Sequence, residues 1–446
     1  MKKVTRRSFI AKSSALAAFT IVPRHVIGGL GYVPPSDKLN IACVGIGMKG
    51  SMDAVSVPTE NIVALCDVDF ASRNTLKVFE KFPKAKRYKD FRVMLDKQKD
   101  IDAVMVATPD HTHAVISMEA MRRGKHVYTQ KPLTHTIHEA QVLAAAARKY
   151  KVASQMGNQG QAGDGPRRLR EMIWDGVIGQ VHEVHVWTDR PNKGLVGVYW
   201  PQGIDRPKDT PAVPHSLDWD LWLGPAPVRP YHPAYHPTKW RGWWDFGSGA
   251  LGDIGCHSMD PIFKALKLGY PTSVQAVSTL VNQETYPSGS MVTYEFPARK
   301  DMSPVTLKWY DGGLKPDRLE GIPDGFKLGA GGTIYVGEKG MIMGNQILPE
   351  SLASSYVPPE PTIPSSPGQY QEWINASKGG PPAGSNFDSA GPLTEVVLMG
   401  SVALRMELRE QLCNHKLLWD ADAKQFSNIP EANAFLHNTY REGWSL

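Results

Sequence analysis

Cysteine is scarce in this chain: 446 residues hold four, Cys43, Cys66, Cys256 and Cys413, spread far apart. Such spacing excludes a disulfide framework or a zinc cluster, and all four read as small core residues, the first two inside buried strands. Acidic side chains are missing from the N-terminal end, where Lys2, Lys3, Arg6, Arg7, Lys12 and Arg24 precede the first acid, Asp37. The whole chain carries a net charge of +6, so the remainder is close to neutral. Near neutrality removes the electrostatic reason to expect nucleic acid or an anionic membrane as partner. Long apolar runs are lacking too: the Ala-rich stretch 15–22 falls short of the roughly 20 residues that a transmembrane helix needs. No Cys directly follows that stretch, so nothing there invites a lipid anchor. Repeats, low-complexity tracts and coiled-coil registers are likewise missing.

What the N-terminal end does have is Thr5-Arg6-Arg7-Ser8-Phe9-Ile10-Ala11-Lys12, then the apolar run, closed by Pro23-Arg24. Residues 1–34 therefore read as a twin-arginine export signal and linker; the plain alternative is a basic arm that happens to contain Arg-Arg. The signal predicts a periplasmic protein handled by the twin-arginine export machinery. That route carries folded chains, which suits a protein that must capture a cofactor before it leaves the cytoplasm.

From Lys38 onward, apolar strands alternate with amphipathic helices, the pattern of a parallel sheet covered on both faces. Strands are predicted at 39–44, 62–66, 101–107, 126–129 and 152–156, so residues 35–157 make an α/β, doubly wound domain. Past Gly157-Asn158-Gln159-Gly160 the composition shifts to Trp-, Pro- and Gly-rich loops between strands such as 181–188. Residues 158–446 are assigned to a second, α+β domain. Its long loop 201–244 would be uncommon in a compact domain unless functional. A late helix is predicted over 394–412, and each domain is expected to hold its own core.

The chemistry-bearing motifs begin with Gly45-Ile46-Gly47-Met48-Lys49-Gly50, which follows the first strand and opens a helix. In that context G-x-G-x-x-G is a dinucleotide fingerprint. Gly45 permits the turn, Gly47 lets the backbone approach a pyrophosphate, Gly50 lets helix and strand pack closely, and the helix N-terminus faces the anion. Asp67, at the end of the second strand, would accept the ribose hydroxyls; this favours NAD over NADP, while nearby Arg73 keeps NADP open. Asp253 and His257 stand four apart on one predicted helical face, where a single substrate hydroxyl can meet both in a proton relay. The alternative is a histidine bonded to Asp inside an ordinary buried helix. Thr108-Pro109-Asp110-His111-Thr112-His113 lies at a strand end, and His111 and His113 are read with Thr108 and Pro109 as cofactor loop, with no metal site. Pro233 and Pro237 make a helical metal face of His232 and His236 improbable. Trp187, Trp200, Trp219, Trp222, Trp240, Trp243 and Trp244 crowd the second domain's loops. Aromatic faces stack on sugar rings, so 240–245 reads as a carbohydrate cleft with Trp240, Arg241 and Trp244 as substrate contacts, beside Asn158 and Gln159; each tryptophan alone suits a core equally well.

Taken in order, the glycine fingerprint, Ala107-Thr108-Pro109-Asp110-His111-Thr112-His113-Ala114, Lys131-Pro132 and G-D-I-G-x-H-x-x-D resemble the Gfo/Idh/MocA family of glucose-fructose oxidoreductases and inositol dehydrogenases. The resemblance spans nearly all of the chain after the leader. It implies an N-terminal Rossmann domain joined to a C-terminal α+β domain with a large, mainly antiparallel open sheet, and a homodimer or homotetramer. It also implies that Ile46, Met48, Gln130 and Lys131 join the cofactor site, and that Lys131, Asp253 and His257 are catalytic. One position departs: Gln130 stands where the family usually has Glu, keeping the shape and losing the charge beside the lysine.

The expectation is thus an exported, NAD-dependent oxidoreductase acting on a secondary hydroxyl of a sugar or glycoside, giving for example a 3-keto-glycoside. Outside the cytoplasm free NAD is scarce, so the cofactor should stay tightly bound and be recycled on the protein. Two alternatives accompany it: an NAD-dependent glycosidase working by oxidation, elimination, hydration and reduction, and a non-catalytic sugar or cofactor sensor.

Overall fold

The computed structural model describes residues 37–194, 196–406 and 415–446. Residues 1–34, read as an export signal and linker, Cys413 and the last part of the helix expected at 394–412 lie outside these residues.

Two sheets organise the chain. The first has six strands, β1 (Asn40–Val44), β2 (Asn61–Cys66), β3 (Lys86–Tyr88), β4 (Ala103–Val106), β5 (His126–Thr129) and β6 (Ser154–Met156), all parallel in the order β3-β2-β1-β4-β5-β6. Helices α1 (Met48–Val55), α2 (Arg73–Lys81), α3 (Phe91–Lys97), α4 (Asp110–Arg122) and α5 (Ile137–Tyr150) connect them. Because successive strand residues face opposite sides, β1 sends Ile41 and Cys43 into one apolar cluster and Ala42 and Val44 into another. α5 opens with a complete capping box, Thr136 accepting from Glu139 N–H and Glu139 reaching back to Thr136 N–H.

After α6 (Asp164–Trp174) the chain builds a nine-stranded sheet: β7 (Val181–Thr188), β8 (Ser273–Ser278), β9 (Ser290–Phe296), β10 (Val305–Tyr310), β11 (Gly331–Gly337), β12 (Met341–Met343), β13 (Gln346–Leu348), β14 (Leu417–Asp420) and β15 (Gln425–Phe426). Its order is β13-β12-β11-β7-β10-β9-β8-β14-β15, antiparallel except between β7 and β10. Helices α7 (Trp219–Leu223), α8 (Gly249–Ala265), α9 (Glu350–Ser355), α10 (Gln369–Ser377) and α11 (Phe387–Met406) complete the described residues. Among them no helix is long and apolar enough to cross a membrane.

The expectation of separate cores is corrected by the late helices. One continuous cluster joins Val44 and Val106 of the first sheet to Val184 and Trp309 of the second, with Cys256 of α8 and Val397 of α11 between them. α8 approaches α11 closely at Gly255, where an added Cβ would sit 3.1 Å from Val397. α10 returns to the opposite face of the first sheet, where Trp373 and Ile374 join Ile41 and Leu65 and Tyr370 stacks on Tyr128. Cys43, Cys66 and Cys256 are buried free thiols whose ionisation burial pushes upward, so they serve as small apolar residues.

Candidate active site

Strand ends of the first sheet and the N-terminal half of α8 enclose one cavity of about 400 Å³. Its floor is the glycine loop. Gly45 takes φ +75°, and a Cβ there would meet the Ala107 carbonyl carbon at 2.8 Å; a Cβ on Gly50 would sit 1.8 Å from Gly45 O. Around Gly47 there is nothing within 4 Å of an added Cβ, so the N-terminal turn of α1 opens into free space. That combination fits a dinucleotide: a tight turn, an open approach to backbone N–H groups, and an anion-favouring helix end. Asp67 closes this end, accepting from Ile46 N–H at 2.8 Å and Asp69 N–H at 2.9 Å; burial nevertheless pushes its carboxyl up to about 6. Ile46 itself is fully buried and contributes its backbone.

At the far end of the cavity, Lys131 follows β5 and meets α8. Its Nζ donates to Asp253 Oδ1 and to the Asp253 carbonyl, both at 2.6 Å, with both side chains only 15% exposed. Arg241 Nε donates to the same Oδ1 at 3.1 Å, and its guanidinium lies 4.4 Å from the Trp240 ring centre. Burial would raise the Asp253 carboxyl, but the charges of Lys131 and Arg241 outweigh it and hold the group well below the usual carboxylate range. His257 lies one turn further along α8, partly buried, and burial with the Lys131 charge pushes its imidazole down to about 4. The Asp253 carboxylate is thus engaged by two cations, and His257, its imidazole kept neutral, follows it on α8 without reaching the cavity wall.

Gln130, adjacent to the lysine, turns away from it. Its Nε2 donates to Asp53 Oδ2 at 2.7 Å, and Asp53 also accepts from Lys49 Nζ and Tyr370 OH, each at 2.6 Å. A neutral amide at 130 thus serves as donor to an Asp53 carboxylate of α1 that is already paired with Lys49, a contact a glutamate could not make. Asp53 escaped the sequence reading because it is 77 residues from its partner.

Several predicted site residues have other work. His111 places its ring nitrogens 3.2 Å from Phe246 O and 3.0 Å from Trp222 O; His113 places its own 2.8 Å from Pro132 O and 2.9 Å from Thr108 O. Both are buried, and burial pushes them to about 3 and about 4, so each neutral ring donates to one carbonyl. His113 thus fastens the segments carrying Thr108 and Lys131, His111 fastens the start of α4 to Trp222 and Phe246, and neither lines the cavity. Trp244 is buried against Tyr286 with its indole N–H on Asn282 O, and Trp243 is fully buried, so only Trp240 and Arg241 of the expected carbohydrate cleft line the cavity. Asn158 is buried, and Gln159 donates to Tyr128 OH at 3.0 Å. Gly47, Met48, Asp67, Thr108, Pro109 and Gln130 all reach the cavity wall.

Asp110 was named in the motif but given no role. It is buried at the first turn of α4, accepts from Ser248 Oγ at 2.8 Å, and lines the same cavity. Burial pushes its carboxyl up to about 7 against the pull of Lys131 and Ser248.

The long loop between β7 and α8 roofs the nucleotide end. Leu217 bridges Asp69, Asp218 N–H donates to Val68 O at 2.9 Å, and His236 lies 3.6 Å from Asp69. Its length is thus used to cover the ends of β2 and to bring Arg241 onto Asp253.

Residues 39–158 match the profile described as the oxidoreductase family's NAD-binding Rossmann fold, and residues 167–296 match that family's C-terminal alpha/beta domain. Together the two cover more than half of the chain. An inositol 2-dehydrogenase of Salmonella paratyphi B is 31% identical over 152 residues, 33% of this chain and 45% of that protein. A glycosyl hydrolase family 109 protein of Saccharopolyspora erythraea is 31% identical over 156 residues, 32% of this chain and 34% of that protein. The chain thus spans less than half the length of these curated relatives. Among solved structures, the WlbA dehydrogenase of Bordetella pertussis, in complex with NADH and UDP-GlcNAcA, superimposes with a TM-score of 0.58 at 17% identity, covering 86% of this chain and all of the other. At that identity the likeness is one of fold.

Proposed function

The chain belongs to the Gfo/Idh/MocA oxidoreductase family, and we propose that it oxidises a secondary hydroxyl of a sugar or glycoside, with NAD held tightly and recycled on the protein. The observation that carries this reading is the single cavity running from the open glycine loop to the Lys131–Asp253 pair. NAD, when bound, supplies the hydride acceptor. Gly47, Met48 and Asp67 would hold its phosphates and adenosine ribose, and Lys131 marks the reacting end. Asp253, held ionised, engages two of the three Lys131 ammonium donors through its carboxylate and its carbonyl, which leaves one N–H for the substrate oxygen, where it would stabilise negative charge. His257, neutral above about pH 4, accepts the hydroxyl proton. Trp240, buried to 7% exposure but reaching the cavity wall beside Arg241, would give a sugar ring an aromatic edge to pack against.

The roofing of the nucleotide end by the β7–α8 loop supports retention, because release would require parting Asp218 from Val68 and Leu217 from Asp69. Export through the twin-arginine pathway belongs to the same reading and rests on residues 5–12.

A second reading is favoured by the similarity to a glycosyl hydrolase family 109 protein: oxidation acidifies the neighbouring C–H, the aglycone leaves by elimination, water adds, and the hydride returns. Asp110, pushed up to about 7, is a second proton-exchanging group in the same cavity.

One experiment separates the two. The protein is denatured to identify released cofactor, and intact enzyme is followed near 340 nm against a panel of glycosides. Stoichiometric reduction of bound NAD by the sugar, which then stalls until a keto compound is added to reoxidise it, supports the oxidoreductase. Aglycone release without lasting absorbance supports the glycosidase, and the absence of any bound or bindable dinucleotide contradicts both.

A further inference from the structure

The sheet order fixes the direction in which a dinucleotide lies in the cleft. Lys131 follows β5 on one side of β1, and Asp67 follows β2 on the other, with β3 beyond it. If the reacting ring lies at Lys131 and the adenosine ribose at Asp67, the adenine lies toward the end of β3, where Asp90 and Phe91 begin α3. There the cavity wall is completed by a residue from the other end of the chain, Trp444. Its ring stands 6.1 Å from that of Phe91, and the Arg92 guanidinium lies 4.5 Å from its centre.

Trp444 is held in place by an anchored segment. His138 N–H donates to Leu436 O at 2.9 Å, Asn438 Nδ2 meets His135 Nδ1 at 3.0 Å, and Tyr440 OH donates to Glu139 at 2.5 Å. Arg441 then donates to Asp220 Oδ1 at 2.6 Å and to Gly224 O at 2.5 Å, fastening the segment to α7 on the roof of the same cleft. Trp444 N–H closes the turn on Arg441 O at 3.2 Å. The strap so formed crosses from α5 to the β7–α8 loop and delivers an indole to the cavity edge, partly exposed between the two. A partly exposed indole packed on a cation, at the open end of a nucleotide cleft, presents the kind of aromatic face on which a base stacks.

We propose that Trp444 is an adenine-binding residue, and that the 436–446 segment is a strap which holds it against the nucleotide and slows cofactor release. The inference rests on the cleft being a dinucleotide site, as proposed above, but not on which sugar is oxidised. Adenine lies against the cavity side of the Trp444 indole, beside Asp90 and Phe91, so this part of the affinity comes from outside the nucleotide-binding sheet. Arg92, stacked on the indole, fixes its tilt.

The test uses the full-length chain cleared of nucleotide, with AMP and nicotinamide mononucleotide as separate probes of the two ends. Trp444→Ala should weaken AMP binding about tenfold and leave nicotinamide mononucleotide unchanged, while Trp444→Phe should stay close to the parent. Trp444→Leu, which keeps apolar bulk without the aromatic face, should resemble the alanine variant and covers the case in which alanine unsettles the strap. The dissociation of NADH from the loaded protein should quicken by the same factor as AMP weakens. Unchanged AMP affinity in both the alanine and leucine variants overturns the proposal, as does an equal loss for both probes. A parent protein that binds neither AMP nor NAD overturns the proposed function as well. A parent that binds AMP through Trp444 yet never reduces NAD with any sugar leaves this inference standing and removes the other.

Discussion

Asp253 on α8, partly buried, and Asp110 at the start of α4, buried, line one cavity, and both feel the charge of Lys131. Their titrations are driven in opposite directions. Asp253 is in direct contact with Lys131 and Arg241, and two ion pairs overcome the cost of burial. Asp110 has a hydroxyl as its bonded partner, feels the lysine only at a distance, and is pushed up to about 7. Proximity to a cation is therefore not enough; bonded contact decides. The consequence for chemistry at the lysine end is an anion, Asp253, which orients the lysine, beside an acid, Asp110, able to change charge near neutrality.

The comparison breaks most completely at the shared cation. Lys131→Met leaves both carboxylates without it, and kcat/KM on any responsive sugar should fall by about 10³-fold, read by steady-state absorbance at 340 nm. Next comes Asp253→Asn, which strands the lysine ammonium and the Arg241 guanidinium around a neutral amide; unfolding in urea should show a loss of about 3 kcal/mol. A smaller effect is expected at the α1 contact. Gln130→Glu brings a second carboxylate against Asp53, costing about 1–2 kcal/mol by the same measurement, and Asp53→Asn in the same chain should recover most of it.

Asp110 sharpens the contrast through pH. Between the ordinary Asp value of 3.8 and about 7, the folded protein keeps a proton on Asp110 that the unfolded chain has lost. Its contribution to stability is therefore favourable at low pH and is lost as pH rises through that window. For Asp253 the sign reverses: its contribution is present above 3.8 and lost as pH falls. Asp110→Asn should make the fall of melting temperature with pH shallower, most of all near pH 7, leaving the part due to Asp67 and Asp311, which burial raises to about 6; an unchanged plot would place the proton elsewhere.

Much of the first sheet was legible because its strands are continuous apolar runs, so the expected 39–44 and 126–129 match Asn40–Val44 and His126–Thr129 to within a residue. β3, Lys86–Tyr88, escaped: three residues with two exposed basic side chains carry no apolar signal. Where side chain and spacing agree, as at Gly45, Gly47 and Asp67, the residues singled out from the sequence line the cavity. The site was misread where a polar residue near the cleft is spent on loop carbonyls, as at His111 and His113. The tryptophans show the same limit, since stacking in a core and stacking on a sugar need the same ring; Trp243 is fully buried while Trp240 meets the cavity. Asp53 with Gln130 and Trp444 with Phe91 become neighbours only through the fold.

The central claim is that the Lys131, Asp253 and His257 end of this cleft takes hydride from a ring carbon of a sugar. The most direct measurement is a single turnover at 340 nm with a responsive glycoside, protiated or deuterated at each ring carbon in turn, in the parent and in Lys131→Met loaded with NAD. The account predicts an absorbance rise in the parent that deuterium slows at one carbon only, and no rise in the variant although NAD remains bound. An undiminished rise in the variant would contradict it.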